Sequence, residues 1–266
     1  MSYQPLSTLD LALAGLLVLI NGALSVGFRL GLERSLAIAV VRMVAQLSVL
    51  GLVLRVVFAV YDPAVTLAIG MVMVAFAAFE VVQRQDRRLT RWWTELIAVV
   101  TMLAVAWAGT FYTLLIVVGP DPWYAPRYLL PILGMVAGNT LSSVGLALNT
   151  LTDGLVRDRG QIEARLALGA TRWEACADVL RRALRTATLP IISQMSVTGL
   201  VTLPGMMSGQ IIAGADPAEA AKYSIMIMFV LSGMAGLGAM AALGATVWRV
   251  TDARHRLRYD RLSAAS

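Results

Sequence analysis

The stretch EARLALGATRWEACADVLRR, Glu163 to Arg182, carries seven charged side chains yet lies between two long apolar tracts. Its first piece, EARLAL, is built of helix formers, and Gly169 supplies the residue type that most readily takes the left-handed conformation closing a helix. A second helix opens at once. Thr171 and Glu174 form a Thr-x-x-Glu capping box, in which hydroxyl and carboxylate each satisfy an orphan backbone donor. Trp173, Cys176, Leu180, Leu184 and Ala187 then recur at helical spacing, while Glu174, Asp178, Arg181, Arg182 and Arg185 line the other face. Asp178 stands three and four residues before Arg181 and Arg182, a spacing that predicts supporting ion pairs. The segment reads as helix, glycine corner, amphipathic helix.

The surroundings of this elbow set the fold class. The 266-residue chain is 58% hydrophobic and only 14% charged, against roughly a quarter charged in soluble domains. Tracts of the ~20 residues needed to cross a hydrocarbon core as a helix recur along it. Seven spans are expected, near Leu9–Phe28, Ser35–Val60, Ala64–Val82, Trp92–Val118, Tyr128–Leu151, Pro190–Ala215 and Tyr223–Val250. The expected fold is therefore an all-α polytopic membrane protein, a single domain over residues 1–266. A polar segment at about 152–189 and a basic tail at about 251–266 complete it.

Lys and Arg near span ends are retained on the cytoplasmic side. Counting alternate loops, 18 of the 22 basic residues fall on one side, among them Arg84, Arg87, Arg88 and Arg91, seven from Arg157 to Arg185 and five from Arg249 to Arg261. Arg55, Arg127 and Lys222 fall on the other, and Arg42 lies within a span. The predicted topology has the amino terminus outside and the carboxyl terminus and elbow in the cytoplasm. The net charge of +6 is accounted for by this bias and by anionic lipid, so nucleic acid is not an expected partner. The first eight residues carry no positive charge and no cleavage pattern follows the first span, so that span is read as a retained helix.

Several chemistries are excluded. The one lysine, Lys222, has no glycine-rich run before it, so the chain has no phosphate-cradling GxxxxGK[ST] loop and is expected to be no enzyme. With one histidine, His255, and one cysteine, Cys176, it forms no His/Cys metal cage and no internal disulfide. No cofactor is expected on this chain.

Polar groups within a bilayer are costly and usually face a bundle interior or a water-filled path. Arg42 and Gln46 share one face of the second span, with Arg42 alternatively snorkelling to the surface. Asn139, Gln194 and Gln210 are further candidates for a transport path, Asn139 alternatively bonding across helices. Pro204 and Gly205 should loosen the sixth span midway. Met206 and Met207 follow directly, as candidate soft-metal ligands or as flexible packing residues. Small-residue stripes at Gly134, Gly138 and Ser142, at Gly205, Gly209 and Ala213, and at Ser232 and Gly236 permit close helix approach, within one subunit or across a dimer.

Glu163, Ala164 and Gly169, followed by Ala-Thr-Arg-Trp at 170–173, resemble the EAA loop of ATP-binding-cassette permeases, in which EAA, three residues and Gly fit a cleft on a separate ATPase. Arg165 stands where that family has its second alanine, and Arg181 and Arg182 stand where it usually has Leu-Pro. By this resemblance Glu163, Ala164, Arg165, Gly169, Thr171, Arg172 and Glu174 form the coupling segment. More of the chain is similar to the FetB-type family of bacterial permeases, through PILGMVAGNTLSSVGLALN (Pro131 to Asn149), GLVTLPGMMSGQIIAGADP (Gly199 to Pro217) and RMVAQL (Arg42 to Leu47). That family is associated with iron export and metal or oxidative stress, and its plant relatives with aluminium tolerance. The resemblance implies a homodimeric permease of a bacterial plasma membrane, working with two copies of an ATPase that carries the ATP and Mg. From the residues alone the elbow also suits a helix lying on the membrane surface. A stand-alone secondary transporter and a non-transporting scaffold or sensor are the rival functions.

Overall fold

The structure is a computed structural model that describes residues 7–90, 92–252 and 256–263. Arg91, Arg254 and His255, assigned above to a loop and to the basic tail, lie outside the described residues. Among those described there are nine α-helices: α1 (Thr8–Gly27), α2 (Glu33–Val60), α3 (Pro63–Gln83), α4 (Trp93–Phe111), α5 (Pro126–Arg157), α6 (Arg159–Ala167), α7 (Arg172–Val197), α8 (Gly205–Ile212) and α9 (Pro217–Val250). The chain divides into two compact units, residues 1–60 and 61–266.

The first unit is the α1–α2 hairpin. Ser7 and Asp10 form a capping box at the start of α1. At the turn, the buried Ser25 hydroxyl donates to Glu33 Oε2 (3.1 Å) and accepts the Leu32 amide (3.1 Å). Leu9, Leu13, Leu17, Val41, Leu47 and Leu52 all stay exposed, as expected of helices whose solvent is lipid rather than water.

The second unit is built around α5 and α9. Leu129, Leu133, Val136, Val144, Leu151 and Leu155 of α5 are buried together with Ala235, Ala239, Ala242, Leu243 and Val247 of α9. Glycine sets how close the helices come. A Cβ at Gly238 would lie 2.7 Å from Thr140 Cγ2, and one at Gly109 would lie 2.6 Å from Met234 Cγ. One at Gly154 would collide with Val179 Cγ1. Within this chain the close approaches fall mostly outside the small-residue stripes. Gly138, Gly205, Gly209 and Gly236 face open space, and only Gly134 comes near a neighbour, Met73.

Among the described residues, six helices are long and apolar enough to cross a membrane: α1, α2, α3, α4 with its π-helical extension to Val118, α5 and α9. The expected sixth span, 190–215, is not one helix. Its first part is the end of α7, which runs through Pro190; residues 198–204 are non-helical, and α8 follows. Pro190 removes one amide donor, a loss a kinked helix tolerates. The break takes in the expected interruption at Pro204, which caps α8, but begins six residues earlier at Thr198, where Gly199 takes a φ of 95°.

Gly154→Val should lower stability by about 1–3 kcal/mol through overpacking, read as the unfolding midpoint in detergent. Val179→Ala should restore part of the loss. Gly138→Ala, facing open space, should leave the midpoint unchanged.

Candidate functional site: the elbow and its supports

The corner at Gly169 is built from backbone hydrogen bonds. The Gly169 amide donates to Leu166 O (3.0 Å) and the Ala170 amide to Arg165 O (3.1 Å), the paired bonds of a Schellman motif, with Gly169 at φ 93°. The capping box at the start of α7 forms as expected. Glu174 Oε2 accepts from both the Thr171 amide and hydroxyl (2.8 Å each), and the Thr171 hydroxyl accepts the Glu174 amide (3.3 Å). These donors hold the Glu174 carboxyl below its ordinary range.

Ion pairs brace the two arms. Arg165 Nη2 reaches Asp178 Oδ2 at 2.6 Å, with Arg181 at 3.6 Å from the same carboxylate. Arg182 pairs with Asp158 rather than with Asp178. Hydrogen bonds from these arginines lower the carboxyl pKa of Asp178 and of Asp158. Arg165, the departure from the EAA pattern, thus joins α6 to α7 across the corner. Glu163 is held by Arg159 on its own helix (2.9 Å). Arg172 donates to Thr251 Oγ1 (3.2 Å), which ties the start of α7 to the end of α9.

The buried face of α7 is rotated from the expected stripe. Ala175, Cys176, Val179, Ala183, Ala187 and Ile191 are buried, whereas Trp173 is exposed and Leu180 and Leu184 are half-buried. Small side chains lie inward because α5 comes close at Gly154. Burial pushes the Cys176 thiol up to about 11, which keeps it protonated and unreactive. Leu168, at the corner, is 88% exposed.

The basic tail is not a free arm. Its described part, 256–263, folds back along the loop between α3 and α4: Thr90 N donates to Arg261 O (2.8 Å), Ser263 N to Arg88 O (2.8 Å) and Arg88 N to Ser263 Oγ (2.9 Å). Tyr259 donates to Leu155 O at the end of α5 (3.3 Å), and the Arg159 guanidinium sits 4.3 Å above its ring. Arg249, at the end of α9, covers the Trp93 ring at the start of α4, also at 4.3 Å. Burial pushes the Tyr259 phenol up to about 12.

At the far end of α9, a cavity of about 430 Å³ opens between the 198–204 break, α8 and α9. Met207 lines it, together with Met195 and Met228, and Met206 does not. Asn139, Gln194 and Gln210 are likewise outside its lining. Asn139 donates to Met135 O of its own helix (3.0 Å) rather than across helices, Gln194 is exposed, and Gln210 Oε1 is buried with no partner. Arg42 and Gln46 belong to the first unit, half-buried and exposed respectively. Among the described residues no group of three His, Cys, Asp or Glu could hold a metal ion. The Asp178–Arg181 pair forms at the expected spacing, whereas the Arg165–Asp178 and Arg182–Asp158 pairs and the tail contacts join residues 13 to 175 apart, beyond any local periodicity.

Among the described residues, six helices apolar enough to cross a membrane, together with a charged elbow, define a polytopic membrane protein. The chain belongs to the family described as "Uncharacterised protein family (UPF0014)", whose profile matches residues 8–250. It is 36% identical over 248 residues to the "Probable iron export permease protein FetB" of Escherichia coli (strain K12), covering 93% of each chain. It is 38% identical over 212 residues to the UPF0014 membrane protein STAR2 of Oryza sativa subsp. japonica, covering 79% of this chain and 72% of that one. With the protein ALUMINUM SENSITIVE 3 of Arabidopsis thaliana the identity is 32% over 231 residues, covering 87% and 82%. No solved structure matches. The chain is a membrane permease of this family.

Arg165→Ala and Asp178→Ala should each speed hydrogen exchange at Leu166–Ala170, and the double variant should be no faster than Asp178→Ala alone, since that change already removes the Arg165 partner. For Tyr259 the folded pKa is raised above the ordinary ~10. Its contribution is full below pH 10 and lost as pH rises through about 12. A phenolate absorption titration of wild type minus Tyr259→Phe should show that late step.

Proposed function

We propose that this chain is the membrane subunit of an ATP-driven exporter of iron or a related metal cargo. Two copies form the permease, and two copies of a separate ATPase carry ATP and Mg. The elbow faces the cytoplasm of a bacterium, with the amino terminus outside and the carboxyl terminus inside the plasma membrane. ATP binding draws the ATPase subunits together, and each elbow passes that movement to the spans.

The observation that carries this reading is the construction of the elbow. An almost fully exposed leucine stands at a corner whose backbone is fixed by two hydrogen bonds and whose arms are braced by ion pairs. A helix resting on lipid needs an apolar stripe and no such bracing. A rigid knob suits a protein cleft, where a central apolar anchor dominates binding energy. The name of the Escherichia coli relative supports iron as cargo. Glu163, Arg165, Arg172 and Glu174 are all engaged within the chain, so they shape the knob, and Leu168 with Trp173 forms its contact surface.

Leu168→Asp should reduce partner-stimulated ATP hydrolysis at least tenfold in a purified complex while leaving the unfolding midpoint of the permease unchanged. Wild-type turnover in that variant defeats the docking role.

A further inference from the structure

The cavity at the break carries chemistry that neither the family description nor the relatives' names assign. It is formed by three elements: the end of α7 contributes Met195, α8 contributes Met207 and α9 contributes Met228 and Phe229. Its volume of about 430 Å³ lies within the range of pockets that hold drug-sized organic molecules, ~300–1,000 Å³. A bare ion is far smaller.

The walls reject charge. No Asp, Glu, Lys, Arg or His lines the cavity among the described residues. Its two hydroxyls have spent their protons on their own helices, Ser224 on Ala220 O (2.9 Å) and Thr198 on Gln194 O (2.7 Å). A hydrated cation or a phosphate group would surrender its water with no opposite charge to meet it, a cost of several kcal/mol at least. Thioethers bind soft ions and match iron poorly. Three flexible methionines and a phenylalanine instead give an adaptable apolar wall, and the rim residues Ile225 and Phe229 stay exposed. An apolar guest can therefore enter sideways from hydrocarbon.

We infer that this cavity binds an uncharged, predominantly apolar organic species, including a metal wrapped in an organic ligand shell, and does not bind a bare metal ion. The inference rests on the permease reading only in treating that species as cargo. It places the cargo site roughly 33 Å along α9 from Thr251, at ~1.5 Å per residue from Phe229, so movement at the elbow must travel the length of the bundle to reach it.

The test uses the full chain in lipid nanodiscs without any ATPase. The probes are uncharged ferric tris(8-hydroxyquinolinate) labelled with radioactive iron, free ferrous ion kept reduced, and silver ion as a soft-ion probe. The ferric complex should bind saturably above empty nanodiscs and raise the unfolding midpoint of the wild type. Ala221→Trp and Ser224→Phe, which fill the cavity, should each weaken that binding at least tenfold in folded chain. Neither free ion should bind saturably. The inference is overturned by no saturable binding of the complex, by unchanged binding in either folded variant, or by saturable binding of ferrous or silver ion. Because no partner is present, intact binding together with failure of ATPase coupling would refute the ATP-driven reading alone.

Discussion

Everything at the charged end depends on how closely α7 lies against α5. Gly154 has no side chain, so Val179 occupies the space a Cβ would fill. Ala175, Ala183 and Ala187 continue the same shallow face. Close-packed interiors transmit displacement instead of absorbing it, and with no Cβ between them these helices have little room to slip. The second arm of the elbow is one 26-residue helix, about 39 Å long at ~1.5 Å per residue. It begins at the capping box and ends only at the break beside the cavity. A lever of that length needs no flexible joint between elbow and bundle.

The supports around the lever are polar and individually weak. Exposed ion pairs such as Arg165–Asp178 contribute little each, and their value here lies in direction. Arg165 ties α6 to α7, Arg182 ties α7 back to Asp158 at the α5–α6 junction, and Arg172 ties α7 to α9. Tyr259 and Arg159 add the returning tail, which also pairs with the α3–α4 loop. Four helix ends and a loop are thereby held to one another on a polar surface, where apolar burial alone would not fix their geometry.

What the sequence made legible follows from the range of each signal. The capping box at Thr171 and Glu174, the left-handed Gly169 and the apolar tracts are local, and the structure has them within a few residues of the reading. The α7 stripe was misplaced because large side chains were taken to point inward. Where a glycine on the neighbouring helix brings the backbones together, the buried face belongs to alanine and cysteine. The 190–215 tract passed as one span because its hydropathy continues across 198–204, where Gly199 and the backbone turn rather than composition end the helix. The Asp178–Arg181 pair was legible from its spacing, but the Arg165–Asp178 and Arg182–Asp158 pairs and the returning tail depend on chain reversals that local periodicity does not encode. Of the two candidate metal ligands only Met207 lines the cavity, and none of Arg42, Gln46, Asn139, Gln194 and Gln210 does; Asn139 donates to the Met135 carbonyl of its own helix.

The break explains why a lever and a cavity belong to one helix. A helix crossing hydrocarbon satisfies its own backbone, and interrupting it is costly unless the freed groups find partners. At 198–202 they do: Gly199 donates to Thr202 O (2.8 Å), and Val201 and Thr202 donate back to Val197 O (3.0 and 3.3 Å). A local turn thus takes over from the helix without charged groups or a metal. The turn separates α7 from α8, so the two helices are not one rigid rod. The cavity lies where the end of α7, α8 and α9 meet across that turn. On the proposed coupling, the unbroken helix up to Val197 would carry movement inward, and the break beyond it would let the cavity change shape.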